Sequence, residues 1–117
     1  MLSISLKELE NKAIELKELL DREIQNKKVN LDIEDSYSEV GGGSLPLEKI
    51  PTKCIVLSIE NSSIQELENN LRKHEIPIIV RLYKDKIYMD LRTIKRQEFN
   101  IVVKGVSFAL ERLKGEY

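Results

Sequence analysis

The first 27 residues carry a single apolar stripe at helical spacing, with lysine and glutamate on the other faces. Ser5 and Glu8 form the S-x-x-E capping box that marks a helix start, so the pattern predicts a helix from Ser5 to about Lys27. Such a stripe has to pack on another surface, because apolar surface left in water loses hydrophobic free energy. Its members are Leu6, Leu9, Ala13, Leu16, Leu20 and Ile24.

The next two segments have strand patterns. Apolar residues alternate with polar ones from Val29 through Leu31 to Ile33, which predicts a half-buried strand running on towards Val40. Residues 53–60, KCIVLSIE, are apolar enough to form a central strand.

A second helix and a hairpin are predicted next. Ser63 and Glu66 form another capping box, and Pro77 ends the helix. Residues 78–83 and 87–92 predict two strands. The strands are joined by a polar turn, which is the pattern of a β-hairpin. The helix has an apolar face of Ile64, Leu67 and Leu71, and the turn consists of Lys84, Asp85 and Lys86.

The last helix begins near Arg96, and its stripe consists of Phe99, Val102, Val103, Val106, Leu110 and Leu113. The predicted order is therefore α-β-β-α-β-β-α. Strands joined by short turns are antiparallel, and helices then cover one face of the sheet. The expected class is α+β, a two-layer sandwich with a small antiparallel sheet. On pattern alone, this is also the architecture of a ferredoxin-like regulatory or binding module.

Composition narrows the function classes. The formal net charge of −1 gives no sign of a surface for nucleic acid or acidic membranes. No apolar run reaches the roughly 18 residues of a membrane span. The single cysteine, Cys54, excludes an internal disulfide and fits a reducing cytoplasm; in its apolar strand it is expected to be an inert thiol. With His74 as the single histidine, no metal site is expected.

Three of the five glycines, Gly41, Gly42 and Gly43, stand side by side before Ser44. Glycine reaches backbone angles closed to other residues and lets another group approach closely. The run is either a flexible hairpin tip or a loop that passes close to a ligand or a neighbouring chain. Its amides, with the Ser44 hydroxyl, are also of the kind that forms an anion-binding nest.

The wider sequence resembles the carboxy-terminal part of bacterial selenocysteine synthase, the L-seryl-tRNA(Sec) selenium transferase family. The resemblance rests on EVGGGSLP at 39–46, the L-R-x-x-x-I-P pattern at 71–77, and VRLYKDKIYMDLRT at 80–93. The opening MLSISLKELENKA is similar to the long helix that leaves the family's large domain. GGGSLP and MDLRTI are specific in combination, and the resemblance covers nearly the whole chain.

The resemblance implies a fold type I enzyme that converts seryl-tRNA(Sec) to selenocysteyl-tRNA(Sec) with selenophosphate. It implies a cytoplasmic homo-oligomeric ring that uses pyridoxal phosphate, bound by a large domain with no counterpart here. The chain is then expected to be a fragment, with a linking helix at 1–28 and a small carboxy-terminal domain at 29–117. No catalytic residue is expected in it, and the isolated chain is expected to be inactive. Cut from its partner domain, the stripe Leu6, Leu9, Leu16 and Leu20 is expected to stay exposed and to cause self-association.

Arg81 and Arg92 are the candidate site residues. The resemblance implies that Arg81 places its planar guanidinium at the mouth of the active site, where it binds an anion with two N–H donors. Because the seryl carboxyl is esterified to tRNA, the expected anion is selenophosphate or a tRNA phosphate. Val80 stands where the family has a glycine, which narrows the space beside Arg81. We expect Arg92 either to contact an anion or to brace the GGGS loop. The simpler alternative is an ion pair between Arg92 and Asp90 or Glu39 at the end of the strand.

Other readings stay open at this point. Each arginine is also explained as a surface charge paired with a nearby carboxylate. Tyr83 and Tyr88 are expected to form a cross-strand pair. The chain as a whole is also explained as a stand-alone regulatory or interaction module. A third explanation is the small domain of another fold type I enzyme, such as a carbon–sulfur lyase.

Overall fold

The computed structural model describes residues 4–24, 28–40, 48–60, 64–73 and 80–113. The element order is the predicted one, with a 3₁₀ helix added before the last helix, and it confirms the α+β class. The elements are α1 (Leu6–Glu23), β1 (Val29–Val40), β2 (Glu48–Ile59), α2 (Ile64–Lys73), β3 (Val80–Tyr83), β4 (Lys86–Asp90), the 3₁₀ helix (Arg96–Glu98) and α3 (Phe99–Glu111).

The four strands form one antiparallel sheet in the order β1-β2-β4-β3. β2 is central, as its apolar sequence predicts. It begins earlier than expected, at Glu48, because it pairs with β1 along its whole length, including Pro51 opposite Tyr37. β2 then pairs with β4 through Cys54 opposite Asp90. The two-layer prediction is confirmed, since buried side chains of all three helices and of one sheet face form a single core.

Helix α1 begins and ends for local reasons. The Ser5 Oγ accepts a hydrogen bond from the Glu8 N–H at 3.1 Å, which confirms the predicted cap. The helix ends at Glu23, before the expected Lys27, where Ile24 turns to extended angles and its N–H bonds to the Leu20 carbonyl. The second predicted cap includes Ser63, which lies outside the described residues.

The α1 stripe lies in the core. Leu9, Leu16 and Leu20 are fully buried, and Leu6 remains 46% exposed. The prediction that the stripe stays exposed is therefore wrong for Leu9, Leu16 and Leu20, and self-association of the isolated chain stays a prediction. The helix packs on β1, β2 and α3 of the same chain, which cover the stripe. The division into 1–28 and 29–117 stays a prediction, and α1 shares one core with the rest of the chain.

The β3–β4 hairpin has a two-residue turn in place of the predicted three. Lys84 and Asp85 have φ of 51° and 61°, which is the left-handed conformation of a tight hairpin turn. Lys86 already belongs to β4. β4 ends at Asp90, before the expected Arg92, because the Asp90 carbonyl accepts the Thr93 N–H in a tight turn. Within the described ranges, no helix combines the length and the apolarity that a membrane span requires.

Candidate functional site

The sheet has a second face, opposite the helices. Because side chains alternate along a strand, the register brings the residues of this outer face together. Cys54 and Val56 are buried there, yet neither belongs to the hydrophobic core cluster. The outer face is therefore a separate environment, defined by Glu34, Ser36, Thr52, Cys54, Val56, Arg81, Tyr88 and Asp90.

Arg81 is half-buried on β3 and reaches across the outer face. Its Nη2 lies 3.3 Å from the Ser36 Oγ and 3.9 Å from the Cys54 Sγ. Within the described ranges these neutral groups are its hydrogen-bond partners, so its charge is not matched by a bonded carboxylate there. A guanidinium has five N–H donors, and both contacts use one nitrogen. The arrangement leaves donors available for an anion.

Tyr88 lies directly opposite Arg81 in the hairpin. Its hydroxyl lies 3.2 Å from the Glu34 Oε1 and donates to it. Desolvation and the nearby Glu34 carboxylate raise the pKa of Tyr88, which keeps the phenol protonated as a donor. The Tyr83 ring meets it edge-on, with centroids 5.9 Å apart at 70°. The predicted tyrosine pair is confirmed as a diagonal pair, since Lys86 is the residue opposite Tyr83.

Cys54 is fully buried beneath Arg81. Burial raises the pKa of its thiol, and the nearby Asp90 acts in the same direction. Arg81 and Ser36 oppose that shift with smaller effects. The neutral thiol is the form that these surroundings favour, which agrees with the expected inert cysteine.

Asp90 organises the end of β4. Its buried carboxylate Oδ1 accepts the Thr52 hydroxyl at 2.6 Å and the Arg92 N–H at 2.9 Å. Its backbone carbonyl accepts the Thr93 hydroxyl at 2.9 Å. This set of bonds holds the DLRT turn rigidly against β2. Asp90 follows Tyr88, the register partner of Arg81, by two residues, or about 7 Å along a strand.

Arg92 follows this turn. Its Nη2 donates to the Pro51 carbonyl on β2 at 2.5 Å, and its backbone N–H binds Asp90. The side chain of Glu39, the other predicted partner, lies outside the description. The Pro51 bond ties Arg92 to the strand that follows segment 41–47. That placement suits a bracing role.

The glycine segment itself is outside the described residues, so Gly41, Gly42, Gly43 and Ser44 stay predictions. The two residues that flank segment 41–47, Val40 and Glu48, pair with each other across β1 and β2. Both ends of the segment therefore leave the same end of the β1–β2 ribbon, beyond Pro51.

A cleft of about 890 Å³ is lined by residues of β1, the β3–β4 hairpin and helix α2, so it includes part of the outer face and extends beyond it. β1 residues 34–37 line one wall, and residues 80–84 with Tyr88 line another. Two of its tyrosines are well exposed, Tyr37 at 54% and Tyr83 at 57%. The cleft thus combines aromatic rings with the Arg81 guanidinium.

Most carboxylates at the cleft already have partners. Asp35 is paired with Lys53, and Glu68 is bound by Arg72 at 2.6 Å along α2. Glu34 accepts from the neutral Tyr88. The remaining cations at the cleft are Arg81 and Lys84, whose ammonium lies 5.3 Å from the centre of the Tyr83 ring.

Lys12 is a residue that sequence reasoning missed. It is 8% exposed, and its Nζ donates to the Leu91 carbonyl at 2.7 Å, beside Arg92. Burial, followed by the charge of Arg96, lowers the pKa of Lys12. The signal was present in the sequence, because Lys12 falls three residues after Leu9, on the buried side of the stripe.

Arg96 adds a second tie between α1 and the segment after β4. Its guanidinium lies 2.9 Å from a Glu8 oxygen and 2.8 Å from a Glu15 oxygen. Together with Lys12, this pairing holds the helix against the turn that carries Arg92.

The fold and the outer face define a small α+β domain with one apolar layer and one polar, arginine-bearing sheet face. The sequence profile of L-seryl-tRNA selenium transferase matches residues 1–95. The chain therefore belongs to that family, which confirms the resemblance drawn from its motifs.

Individual relatives agree. An L-seryl-tRNA(Sec) selenium transferase of Clostridium perfringens is 41% identical over 108 residues, which is 91% of this chain and 22% of the relative. The proteins of the same name from Alkaliphilus oremlandii and Alkaliphilus metalliredigens are 44% identical over 79 residues and 45% over 74. Those matches cover 68% and 63% of this chain and 17% and 16% of the relatives. The chain spans about a fifth of the length of these curated relatives.

Proposed function

We propose that this chain is the small carboxy-terminal domain of a transferase that converts seryl-tRNA(Sec) to selenocysteyl-tRNA(Sec) with selenophosphate. The complete enzyme would work in the cytoplasm as a homo-oligomeric ring and use pyridoxal phosphate. Family membership supports the proposal. Arg81 is the observation that supports a role for this domain in the active site. It is a half-buried cation on the outer sheet face, and its hydrogen-bond partners among the described residues are the neutral Ser36 hydroxyl and Cys54 thiol.

The described residues do not fit the covalent attachment site of pyridoxal phosphate. That attachment needs a lysine amine facing the ligand cavity. Lys12 is the buried lysine of the described part, and its ammonium is bound to Leu91 in the core layer. Lys12 does not line the cleft. Lys84 does, but it is exposed in the hairpin turn, and its ammonium lies 5.3 Å from the centre of the Tyr83 ring. We assign the cofactor to a large domain outside this chain, and to this chain one wall of the active site.

In that wall, Arg81 binds the anion. The serine carboxyl is an ester in the tRNA-bound substrate, so the acceptor for the Arg81 fork is a phosphate-type oxygen of selenophosphate or of tRNA. Arg92 holds Pro51 and so braces segment 41–47. Gly41, Gly42, Gly43 and Ser44 would pass close to the substrate without side-chain collision.

The experiment uses the full-length enzyme and three variants. Arg81→Lys keeps the charge and loses the fork, so we expect selenium transfer to fall at least tenfold with little change in thermal midpoint. Gly42→Val is expected to do the same by blocking close approach. Arg112→Lys is the matched control, because Arg112 is exposed at the end of α3 and stacks on Phe108.

If Arg81→Lys and Gly42→Val both transfer selenium at the wild-type rate, Arg81 is only a surface charge and segment 41–47 is only a turn. The alternative of a stand-alone module is tested separately, by reading the gene upstream. An upstream frame without a large domain that bears a cofactor lysine would contradict the enzyme assignment.

A further inference from the structure

The Tyr88 hydroxyl reaches across β2 to bind a carboxylate on β1. It donates to the Glu34 Oε1 at 3.2 Å, and the two residues are 54 positions apart in the sequence. In the sheet register Tyr88 lies opposite Val56 of β2, whereas Glu34 lies opposite Cys54. The bond therefore runs diagonally over β2 and fixes the direction of the Glu34 carboxylate.

Glu34 lies next to the Arg81 guanidinium. The Arg81 Nη2 contacts the Ser36 Oγ and the Cys54 Sγ. Ser36 is two residues from Glu34 on the same face of β1, about 7 Å along the strand, and Cys54 is the direct register partner of Glu34. Register partners have Cβ atoms about 5 Å apart. The Glu34 carboxylate is thus within reach of the guanidinium, yet in the described part of the chain it is bound to Tyr88.

The other carboxylates of the outer face are placed differently. Asp90 on β4 accepts two hydrogen bonds at its Oδ1. Asp32 on β1 is exposed and lies two residues beyond Glu34, about 13 Å along the strand from Ser36. Glu34 is therefore the acid positioned to pair with Arg81 once its own hydrogen-bond donor is removed.

An ion pair between Glu34 and Arg81 would compete with a bound anion, because a guanidinium forked to a carboxylate has those donors occupied. The affinity for the anion would fall in proportion to the fraction of molecules in which the guanidinium is open. Tyr88 offers Glu34 a neutral donor in place of the cation. The raised pKa of Tyr88 keeps that donor protonated at neutral pH.

We propose that Tyr88 is a positioning residue for the anion site: it holds the Glu34 carboxylate away from Arg81 and so leaves the guanidinium open to a phosphate-type anion. This role rests on the proposed function and adds a residue to it. Ser36 and Cys54 complete the arrangement, because they hold the guanidinium without neutralising its charge.

The test titrates inorganic phosphate into the 117-residue chain and follows the Nε–H signal of Arg81 by NMR. The signal is assigned by its loss in Arg81→Lys. Dissociation constants are compared for wild type, Tyr88→Phe, Glu34→Gln and the double variant of Tyr88→Phe with Glu34→Gln. Tyr83→Phe is the matched control, because it removes a hydroxyl from a 57% exposed tyrosine of the same hairpin.

We expect Tyr88→Phe to weaken phosphate binding roughly fivefold, the effect of a partly exposed ion pair that has to be broken first. Adding Glu34→Gln is expected to restore at least the wild-type affinity, because the competing charge is gone. Tyr83→Phe is expected to bind like wild type. Circular dichroism melting checks that each variant folds, and a purely structural loss at Tyr88 would not be rescued by a change at Glu34.

Three results would overturn the role of Tyr88. The first is equal phosphate affinity of wild type and Tyr88→Phe. The second is a loss in Tyr88→Phe that Glu34→Gln does not restore. The third is a wild-type chain whose Arg81 signal does not respond to phosphate, which would also remove the anion site from the proposed function.

Kinetics of the full-length enzyme identify the source of the phosphate group. Tyr88→Phe is expected to raise one KM roughly fivefold with kcat nearly unchanged, since it weakens binding without touching the chemical step. A higher KM for selenophosphate assigns the anion to the selenium donor, and a higher KM for seryl-tRNA(Sec) assigns it to the tRNA. No change in either KM would contradict a role of Tyr88 in the reaction.

The outcomes also separate this role from the proposed function. If Arg81→Lys lowers selenium transfer while Tyr88→Phe binds phosphate like wild type, the proposed function stands and the role of Tyr88 is wrong. If Arg81→Lys transfers selenium at the wild-type rate while the rescue by Glu34→Gln is observed, Tyr88 keeps open an anion site that the reaction does not use. The part that Arg81 plays in the proposed function then fails.

Discussion

On the helix side of the sheet, Leu57 and Met89 are fully buried in one apolar core, whereas on the outer face Cys54 and Asp90 are buried among polar partners. The helix side gains stability from apolar area, which is non-directional and tolerates exchange between similar side chains. The outer face is held by hydrogen bonds with fixed geometry, which position the Arg81 and Arg92 side chains. The sheet thus separates the layer that stabilises the domain from the layer that carries its charged groups.

The largest expected effect lies on the helix side. Leu57→Ala removes a fully buried side chain and leaves a cavity, so it is expected to lower the free energy of unfolding by about 2–5 kcal/mol. Urea denaturation of the 117-residue chain measures it. Val56→Ala is the neighbouring control on the outer face, where Val56 is 3% exposed but outside the core cluster. A cost for Val56→Ala as large as that for Leu57→Ala would contradict the contrast between the two faces.

A smaller effect is expected from the polar layer. Thr52→Val keeps the shape and removes the hydroxyl that donates to the buried Asp90 carboxylate at 2.6 Å. We expect a loss of about 1.5–3 kcal/mol, typical of a hydrogen bond to a charged group. Thr93→Val is the matched control, because its hydroxyl bonds to the backbone carbonyl of the same Asp90 from an exposed position. Equal losses in the two variants would show that the buried carboxylate is not the centre of the network.

The smallest effects are pH-dependent and have opposite signs in the two layers. The pKa of Cys54, on the outer face, is raised above its ordinary 9.0, so the unfolded thiol ionises first. Its stabilising contribution is present below about pH 9 and is lost as pH rises through the folded pKa. The pKa of Lys12, on the helix side, is lowered from 10.5, so the folded state releases its proton first and gains stability as pH rises towards 10.5.

Urea midpoints between pH 7 and 10.5 test these signs in Cys54→Ala and Lys12→Met. The difference between wild type and Cys54→Ala is expected to shrink with rising pH. The wild type is expected to gain relative to Lys12→Met over the same range. The same sign for both variants would mean that one of the two environments is misassigned.

Both arginines of the candidate site were identified from the sequence, through the resemblance of VRLYKDK and MDLRT to a known family. The tertiary contacts of these two arginines could not be identified from the sequence. Arg81 meets Ser36, which is 45 positions away, and Arg92 meets Pro51, which is 41 positions away. These contacts depend on strand register and on the order β1-β2-β4-β3, which local pattern does not specify.

The helical stripes, the Ser5 cap, the alternation of β1 and the β3–β4 hairpin could be predicted from the sequence, because each follows from interactions within a few residues. Tertiary structure alone decided that the α1 stripe is buried in its own chain and that Lys12 reaches the Leu91 carbonyl, 79 residues away. It also decided that α1 and β4 end sooner than their patterns suggest. The physical reason is that an apolar face specifies that it will be buried but not by what, because the hydrophobic effect has no direction. The partner is chosen when the whole chain packs.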